Sequence, residues 1–153
     1  MNKITKEDFL ILFNEAKIRY NSTHEPLPEL KSDSLDKIKF AINAPFQTGY
    51  GQELYETFED KASILFYLIN KGHYLANGNK RMAYFCLQYF CVINNKSLNL
   101  TNDEAYIFSL KVANSKESDG EKTLDYINNF ISKHLKDNNG IYGNPIYKLI
   151  FGV

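Results

Sequence analysis

Apolar residues recur every three to four positions along most of this chain, which places them on one face of an α-helix. The candidate runs for strands are only a few residues long. The pattern therefore predicts an all-α fold in a single domain spanning residues 1 to 153. The predicted helices cover about residues 5–20, 33–44, 57–71, 79–93, 101–113 and 121–135.

Several of these helices begin at a residue that can cap them. Thr57 is followed three residues later by Asp60, and Thr101 is followed by Glu104, which is the spacing of a capping box. Thr5 is a further candidate, because its hydroxyl can accept from the first turn. The buried face of the first helix is predicted to contain Phe9, Leu10, Leu12, Phe13, Ala16 and Ile18.

Three segments break the helical pattern. Residues 21 to 31 contain two prolines and interrupt the first helix. Residues 45 to 55, PFQTGYGQELY, have two glycines and suit an extended flap or an irregular hairpin better than a helix. Residues 137 to 153 hold three glycines and a proline among apolar side chains, a composition that fits both a docked and a loose tail.

The run from residue 79 to 93 is apolar almost all round, which predicts a helix at the centre of the core. Its Cys86 and Cys91 would not share a helix face, so we interpret them as reduced, buried thiols. The aromatic residues of this run are interpreted as core residues and not as a platform for a nucleotide base; they are Tyr84, Phe85, Tyr89 and Phe90.

Composition narrows the range of partners. The 18 Lys and Arg residues balance 18 Asp and Glu residues, so a generally basic face for nucleic acid is not expected. No apolar run approaches the roughly 18 residues of a membrane span, and the N-terminus lacks the features of a signal peptide. We therefore expect a cytoplasmic protein with no nucleic-acid or membrane partner, in which any anion is bound at a local site.

Residues 72 to 83, GHYLANGNKRMA, combine several features that bind phosphate. A helix that begins near Asn79 offers unpaired backbone N–H groups and the positive end of its dipole. Gly78 would let the backbone approach a phosphate closely, within a turn that could form an anion-binding nest. Lys80 and Arg81 add two cations, which are unfavourable in the first turn of a helix unless an anion is present.

His73 precedes this turn by five residues, at the predicted end of the previous helix. An imidazole can accept a proton from an attacking hydroxyl near neutral pH. Together with the nest and the cations, it suits phosphate transfer to an alcohol, a reaction that depends on positioning and charge neutralisation. A histidine can also complement a helix C-terminus without any catalytic role. We assign His24 and His134, which have no such pattern around them, to surface or packing roles.

The nine residues from His73 to Arg81, HYLANGNKR, resemble the Fic/Doc signature, whose usual form is H-x-F-x-D/E-G-N-x-R between two central helices. Lys80 resembles the death-on-curing (Doc) branch, because Fic adenylyltransferases usually have glycine there and a second arginine further into the helix. The stretch from residue 44 to 55 is similar to the family's flap. The resemblance covers about residues 33 to 135.

The resemblance implies a role for each matched residue. His73 would deprotonate a hydroxyl of a target protein, Gly78 and Asn79 would hold phosphates, and Arg81 would neutralise the transferring or leaving group. Lys80 would crowd the place of the α-phosphate, so that ATP or another nucleoside triphosphate would offer its γ-phosphate. The flap that would clamp the target consists of Phe46, Gln47, Thr48, Gly49, Tyr50 and Gly51.

Two residues depart from the signature. Asn77 stands where the family's acid binds Mg²⁺, and a neutral amide is a poorer ligand for a hard dication than a carboxylate. Mg²⁺ dependence is therefore in doubt, with Asn77 as the candidate ligand. Leu75 replaces the usual Phe, and we expect the core to tolerate this change if the volume is repacked.

The function that the resemblance implies is that of a Doc-like toxin that phosphorylates a protein hydroxyl, with translation factors among the family's targets. A Fic-type protein adenylyltransferase is one alternative, and an inactive module that binds a nucleotide or phosphopeptide is another. The sequence lacks the [S/T]-x-x-x-E-[G/N] helix that blocks the site in some Fic proteins. We therefore expect a separate antitoxin chain as the inhibitor.

Overall fold

A computed structural model describes residues 1–21 and 25–138 of the chain. Most of these residues lie in the helices α1 (Lys6–Tyr20), α2 (Ser32–Asn43), α3 (Phe58–Lys71), α4 (Asn79–Ile93), α5 (Asn102–Ala113) and α6 (Gly120–His134). The strands of the described part are β1 (Thr48–Gly49), β2 (Gln52–Glu53), β3 (Lys96–Leu98) and β4 (Leu135–Asp137). The all-α prediction is confirmed. The predicted role of His24, and the tail after residue 138, lie outside the described residues.

The predicted caps of three helices are confirmed. Thr5, Thr57 and Thr101 each accept a hydrogen bond from the backbone N–H three residues on, and the acid at that position accepts from the cap's own N–H. The reciprocal pair satisfies two backbone donors that the helix itself leaves unpaired. At α5, these bonds from Thr101 lower the pKa of the Glu104 carboxyl.

The centre of the fold is the pair of helices α3 and α4, which pack against each other more extensively than any other described elements. Phe66 of α3 stacks on Phe108 of α5 with ring centroids 4.6 Å apart, and Phe108 stacks on Phe130 of α6 at 4.1 Å. This three-ring stack joins α5 and α6 to the central pair. None of the helices in the described part of the chain combines the length and apolar character that a membrane crossing requires.

Both cysteines lie inside α4 and are free and buried, as predicted. Burial raises the pKa of the Cys86 thiol strongly and that of Cys91 to about 12. Since the thiolate is the reactive form, neither side chain is a nucleophile at neutral pH.

The prediction that Ile18 belongs to the buried face of α1 was wrong. The buried positions are Phe9, Leu12, Phe13 and Ala16, whereas Ile18 is 71% exposed. Two residues past Ala16, a side chain lies about 200° round the helix and points away from the core.

Strand β4 was not predicted, because Leu135 was assigned to the end of the last helix. The helix ends at His134, and residues 135 to 137 pair antiparallel with β3, with Leu98 opposite Leu135. The Lys96 ammonium also lies 2.6 Å from a carboxylate oxygen of Asp137. Leu135 pairs with Leu98, which lies 37 residues earlier in the chain, so no pattern in the neighbouring sequence predicts this strand.

The segment predicted as a flap or irregular hairpin forms a hairpin. Thr48 pairs with Glu53 and Gly49 with Gln52, so the loop contains two residues. These are Tyr50, at φ 52°, and Gly51, at φ 79°. Positive φ at both positions is typical of the tight turn whose twist matches that of the two strands. The turn leaves the Tyr50 ring fully exposed at the tip. This hairpin, residues 46 to 54, is called the flap below.

We predict that Phe108→Ala lowers the free energy of unfolding by about 3–5 kcal/mol, because it removes the middle ring of the stack and leaves a cavity. The matched control is Ile107→Ala, the preceding residue, which is 61% exposed and should change stability by less than about 0.5 kcal/mol. Urea denaturation followed by circular dichroism measures both. Equal losses from the two variants would contradict the role given to the stack.

Candidate active site

The signature residues form the loop between the two central helices. Helix α3 ends at Lys71, with Gly72 as its C-cap, and α4 begins at Asn79. A side chain at Gly72 would meet the Leu68 carbonyl oxygen at 2.4 Å, so the chain passes too close to α3 for any other residue. His73 follows at φ 49°, in the left-handed region where helices commonly end. This conformation places an exposed imidazole immediately after α3.

Asn79 fixes the shape of the loop with its side chain. Its Oδ1 accepts from the Leu75 backbone N–H at 3.0 Å, and its Nδ2 donates to the Leu75 carbonyl at 2.8 Å. Leu75 itself is buried in the core, as expected for the residue that replaces phenylalanine. The amide thus holds both backbone groups of a core residue, and its contribution to the site is to shape the loop.

Gly78 is required by both its conformation and its surroundings. It has φ 84°, and a Cβ at this position would lie 2.0 Å from Cδ2 of Leu27. The sequence suggested that the missing side chain leaves room for a phosphate. The structure shows Leu27 in that direction, while the Gly78 N–H donates to Oδ1 of Asn77 at 2.7 Å. The absent Cβ therefore serves packing against the segment that precedes α2.

Arg81 lies in the first turn of α4 and is held from two sides. Its Nη1 donates to the Glu25 carbonyl at 2.7 Å, and its guanidinium carbon lies 4.6 Å from the centroid of the Tyr20 ring. Its Nη2 is buried and has no hydrogen-bond partner among the described residues. This nitrogen lies beside the loop, since a Cβ at Gly78 would be 3.4 Å from it. A buried donor without an acceptor is costly and fits an anion at this place.

Lys80 and the start of α4 add positive charge next to Arg81. The Lys80 side chain is exposed and makes no ion pair within residues 1–21 and 25–138. Because the N-cap of α4 is Gly78, no side chain caps its first-turn N–H groups. Two cations and the positive end of a helix dipole are therefore together at one point.

These groups line a cleft of about 620 Å³ between the end of α1, the start of α4 and α5. The sequence-predicted residues that line it are Asn77, Gly78, Asn79, Lys80 and Arg81. Neither His73 nor a residue of the flap is among its lining residues. The structure therefore brings the predicted phosphate-binding residues together and leaves the predicted base outside the cleft, on the same loop.

Several lining residues were missed by sequence analysis. From α1 and the following segment these are Arg19, Tyr20 and Glu25, from α4 they are Tyr84 and Phe85, and from α5 they include Asn102 and Tyr106. The assignment of Tyr84 and Phe85 to the core was incomplete, since both are half-buried at the cleft. A signal existed for these two, because they follow Lys80 and Arg81 by four residues and so share their helix face.

The donor set does not fit a magnesium site of the family's usual kind. Oδ1 of Asn77 already accepts the Gly78 N–H, and a carboxamide is a weak ligand for Mg²⁺. Glu25 is the one carboxylate among the described lining residues of the cleft. The described chain also contains no cluster of three or more His, Cys, Asp or Glu side chains that could hold a metal ion. The cationic side chains among the lining residues of the cleft are those of Arg19, Lys80 and Arg81.

A left-handed turn precedes the N-terminus of α4, with a histidine before it and two cations after it, which is an arrangement that can bind an anion. A sequence model of the Fic/DOC family matches residues 5–91, which is more than half of the chain. The chain belongs to the Fic/DOC family, whose members are typically transferases that use nucleoside triphosphates and act on proteins. No curated protein and no solved structure matches the chain.

We predict that Gly78→Ala is much more destabilising than Gly51→Ala. Both glycines have a similar positive φ, but no heavy atom surrounds the Cβ position at Gly51. The substitution at Gly51 should cost about 1–2 kcal/mol of left-handed strain. The substitution at Gly78 adds a clash that should cost a further 1–3 kcal/mol or so.

Urea denaturation of both variants measures this difference. Leu27→Ala in the Gly78→Ala background should recover part of the clash, because it removes the methyl group that a Cβ would meet. Equal losses from Gly78→Ala and Gly51→Ala would show that Leu27 does not constrain the turn.

Proposed function

We propose that this protein is a Doc-like phosphotransferase, which moves the γ-phosphoryl group of a nucleoside triphosphate to a hydroxyl of a target protein. The observation that carries the proposal is the buried Nη2 of Arg81, a donor without a described acceptor beside the turn that precedes α4. An anion with several oxygens could accept from this nitrogen and from the first-turn N–H groups together. ATP is the first nucleotide to test.

In the proposed transfer step, the cations at the start of α4 offset the negative charge of the reacting phosphates. The hydroxyl oxygen of the target attacks the γ-phosphorus as the bond from that phosphorus to the β-γ bridging oxygen breaks, and the nucleoside diphosphate leaves. Arg81 and Lys80 offset the charge on the phosphoryl and leaving groups, and fixed cations of this kind supply most of the catalysis in phosphoryl transfer. The hydroxyl proton passes to His73.

The exposure and the backbone conformation of His73 support its role as the base, although its side chain does not line the cleft. Its imidazole is exposed, so that a hydroxyl presented by another protein can reach it. The left-handed backbone at this residue is unusual for a non-glycine residue, and such conformations are concentrated at functional sites. The same loop carries the phosphate-binding turn five residues later.

In the same proposal, the flap binds a segment of the target protein in an extended conformation. A two-stranded hairpin has one unpaired edge on each strand, and a target strand can pair there through its backbone. The residues assigned to this contact are Phe46, Gln47, Thr48, Gly49, Tyr50 and Gly51. Translation factors as targets, and a separate antitoxin chain as inhibitor, complete the proposal and rest on the Doc resemblance alone.

Two other functions remain as outcomes of the tests. Adenylyl transfer would need the nucleotide in the reversed orientation, with its α-phosphate at the reacting position. Lys80 and the absence of a second arginine later in α4 favour γ-phosphoryl transfer over it. Binding without turnover is favoured by one observation, the neutral Asn77 at the place of the family's acid.

We predict that His73→Ala abolishes transfer and leaves the fold intact, because the side chain is exposed and has no structural partner among the described residues. The assay incubates purified protein and a bacterial lysate with ATP labelled at the γ-phosphate or at the α-phosphate. Label on a target band from the γ-position alone, lost in His73→Ala, is the expected result. His134→Gln is the histidine control, because His134 packs at a tilt against the Phe130 ring and is not among the residues that line the cleft.

The outcomes of this assay separate the three functions. Undiminished transfer by His73→Ala would overturn the mechanism. Label from the α-position would identify an adenylyltransferase, and no label from either position, with and without Mg²⁺, would favour the binding module or a different nucleotide.

We further predict that Lys80→Gly shifts the product toward adenylylated protein. Removing this side chain frees the place that an α-phosphate would occupy in the reversed nucleotide. The ratio of α-label to γ-label on the target band measures the shift. An unchanged ratio, in a variant with the stability of the wild type, would show that Lys80 does not set the orientation of the nucleotide.

A further inference from the structure

Lys61 carries a charge into the core of the protein. It lies in the first turn and a half of α3 and its side chain is only 2% exposed. Burying an ammonium group is costly unless partners replace its lost water. The position is also unfavourable on its own account, since a cation near the N-terminus of a helix opposes the helix dipole.

The partners of Lys61 come from both ends of the flap. Its Nζ donates to the Pro45 carbonyl at 3.1 Å, before the hairpin, and to the Tyr55 carbonyl, after it. The Glu53 carboxylate of β2 lies 3.2 Å from the same nitrogen. One ammonium group therefore holds the entry, the exit and the second strand of the flap.

Phe46 connects this anchor to the central helix pair. Nζ of Lys61 lies 5.1 Å from the centroid of the Phe46 ring, within the range of a cation–π contact. The same ring packs edge-on against Phe90 of α4, with centroids 6.3 Å apart. The first residue of the flap is thus held between the ammonium of α3 and a ring of α4.

The flap has little to stabilise it without this anchor. Its ladder pairs only two residues on each strand, and one further backbone bond joins Leu54 N–H to the Gln47 carbonyl at 3.0 Å. A two-stranded hairpin is marginally stable in water even when it is longer. The contacts of Lys61 therefore hold both ends of the flap on α3, and the Phe46 ring adds a contact with α4.

We propose that Lys61 is a positioning residue for the flap, which sets the hairpin in the geometry that receives the target protein. Its role in holding the flap stands on the contacts above, whereas the consequence for the target rests on the proposed function. Lys61 does not contact the cleft and takes no part in the transfer of the phosphoryl group.

The test replaces Lys61 by methionine, which keeps the length of the side chain and removes its charge and donors. The matched control is Lys71→Met. Lys71 lies at the other end of α3 and donates to the carbonyls of Val112, Ala113 and Ser115, so its loss should loosen the end of α5. Hydrogen–deuterium exchange of the purified full chain is measured by mass spectrometry on peptides covering residues 47 to 54 and 111 to 116.

We expect the flap to exchange on the order of tenfold faster in Lys61→Met than in Lys71→Met, because the hairpin opens locally once the anchor is lost. Hydrogen exchange distinguishes such local opening from global unfolding. Glu53→Gln, a change at a half-exposed side chain, should raise it by a smaller factor and serves if Lys61→Met does not fold. Lys61→Arg should retain part of the protection. The proposal is overturned if the flap exchanges at the same rate in Lys61→Met and Lys71→Met. If Lys61→Met does not fold, an unchanged rate in Glu53→Gln overturns it.

A second readout connects the flap to the target. With γ-labelled ATP and increasing lysate, Lys61→Met should need several times more lysate for half-maximal labelling, while its dependence on ATP concentration is unchanged. A rise in the ATP requirement instead would overturn the assignment to the flap. If the wild type transfers no label from ATP or from the other nucleoside triphosphates, the proposed function fails, and the exchange experiment still decides whether Lys61 anchors the flap.

Discussion

The left-handed turn at Gly78 is the constraint on which the site depends. It is the left-handed N-cap of α4, and the contact with Leu27 leaves no room for a side chain there. The two hydrogen bonds of the Asn79 amide to Leu75 then fix the rest of the loop against the core. Because these contacts determine where α4 begins, they also determine where its first-turn N–H groups, Lys80 and Arg81 point.

Two cations, Lys80 and Arg81, and the positive end of the α4 dipole lie around that turn. Acidic and basic residues balance over the whole chain, so net charge does not attract an anion to the protein. Burial raises the pKa of the Cys86 and Cys91 thiols. Burial and the neighbouring Asp8 carboxylate raise the pKa of Tyr89 to about 12. The His73 imidazole, by contrast, is exposed on the loop before α4.

Features that depend on neighbouring residues could be predicted from the sequence, whereas features that depend on distant ones could not. Capping boxes and apolar periodicity gave the positions of the helices, and two glycines in eleven residues gave the flap. The walls of the cleft come from elsewhere in the chain, since the Glu25 carbonyl reaches Arg81 across 56 positions. The pairing of β4 with β3 likewise depends on residues far apart in the chain. The exposure of Ile18 is different, because the helix's step of roughly 100° per residue from Ala16 already places it off the buried face.

The buried and half-buried cations share a pattern that explains how irregular segments are held on this helical core. Lys61 donates to the two carbonyls that flank the flap, Lys71 to three at the end of α5, and Arg81 to one in the segment before α2. Backbone carbonyls outside helices need donors when they pack against a core, and long cationic side chains supply several donors from one position. Both lysines lie on α3 and the arginine on α4. Helices α3 and α4 therefore hold the flap, the end of α5 and the wall of the cleft, each through a different side chain. Because these attachments are separate, one can be weakened without unfolding the others.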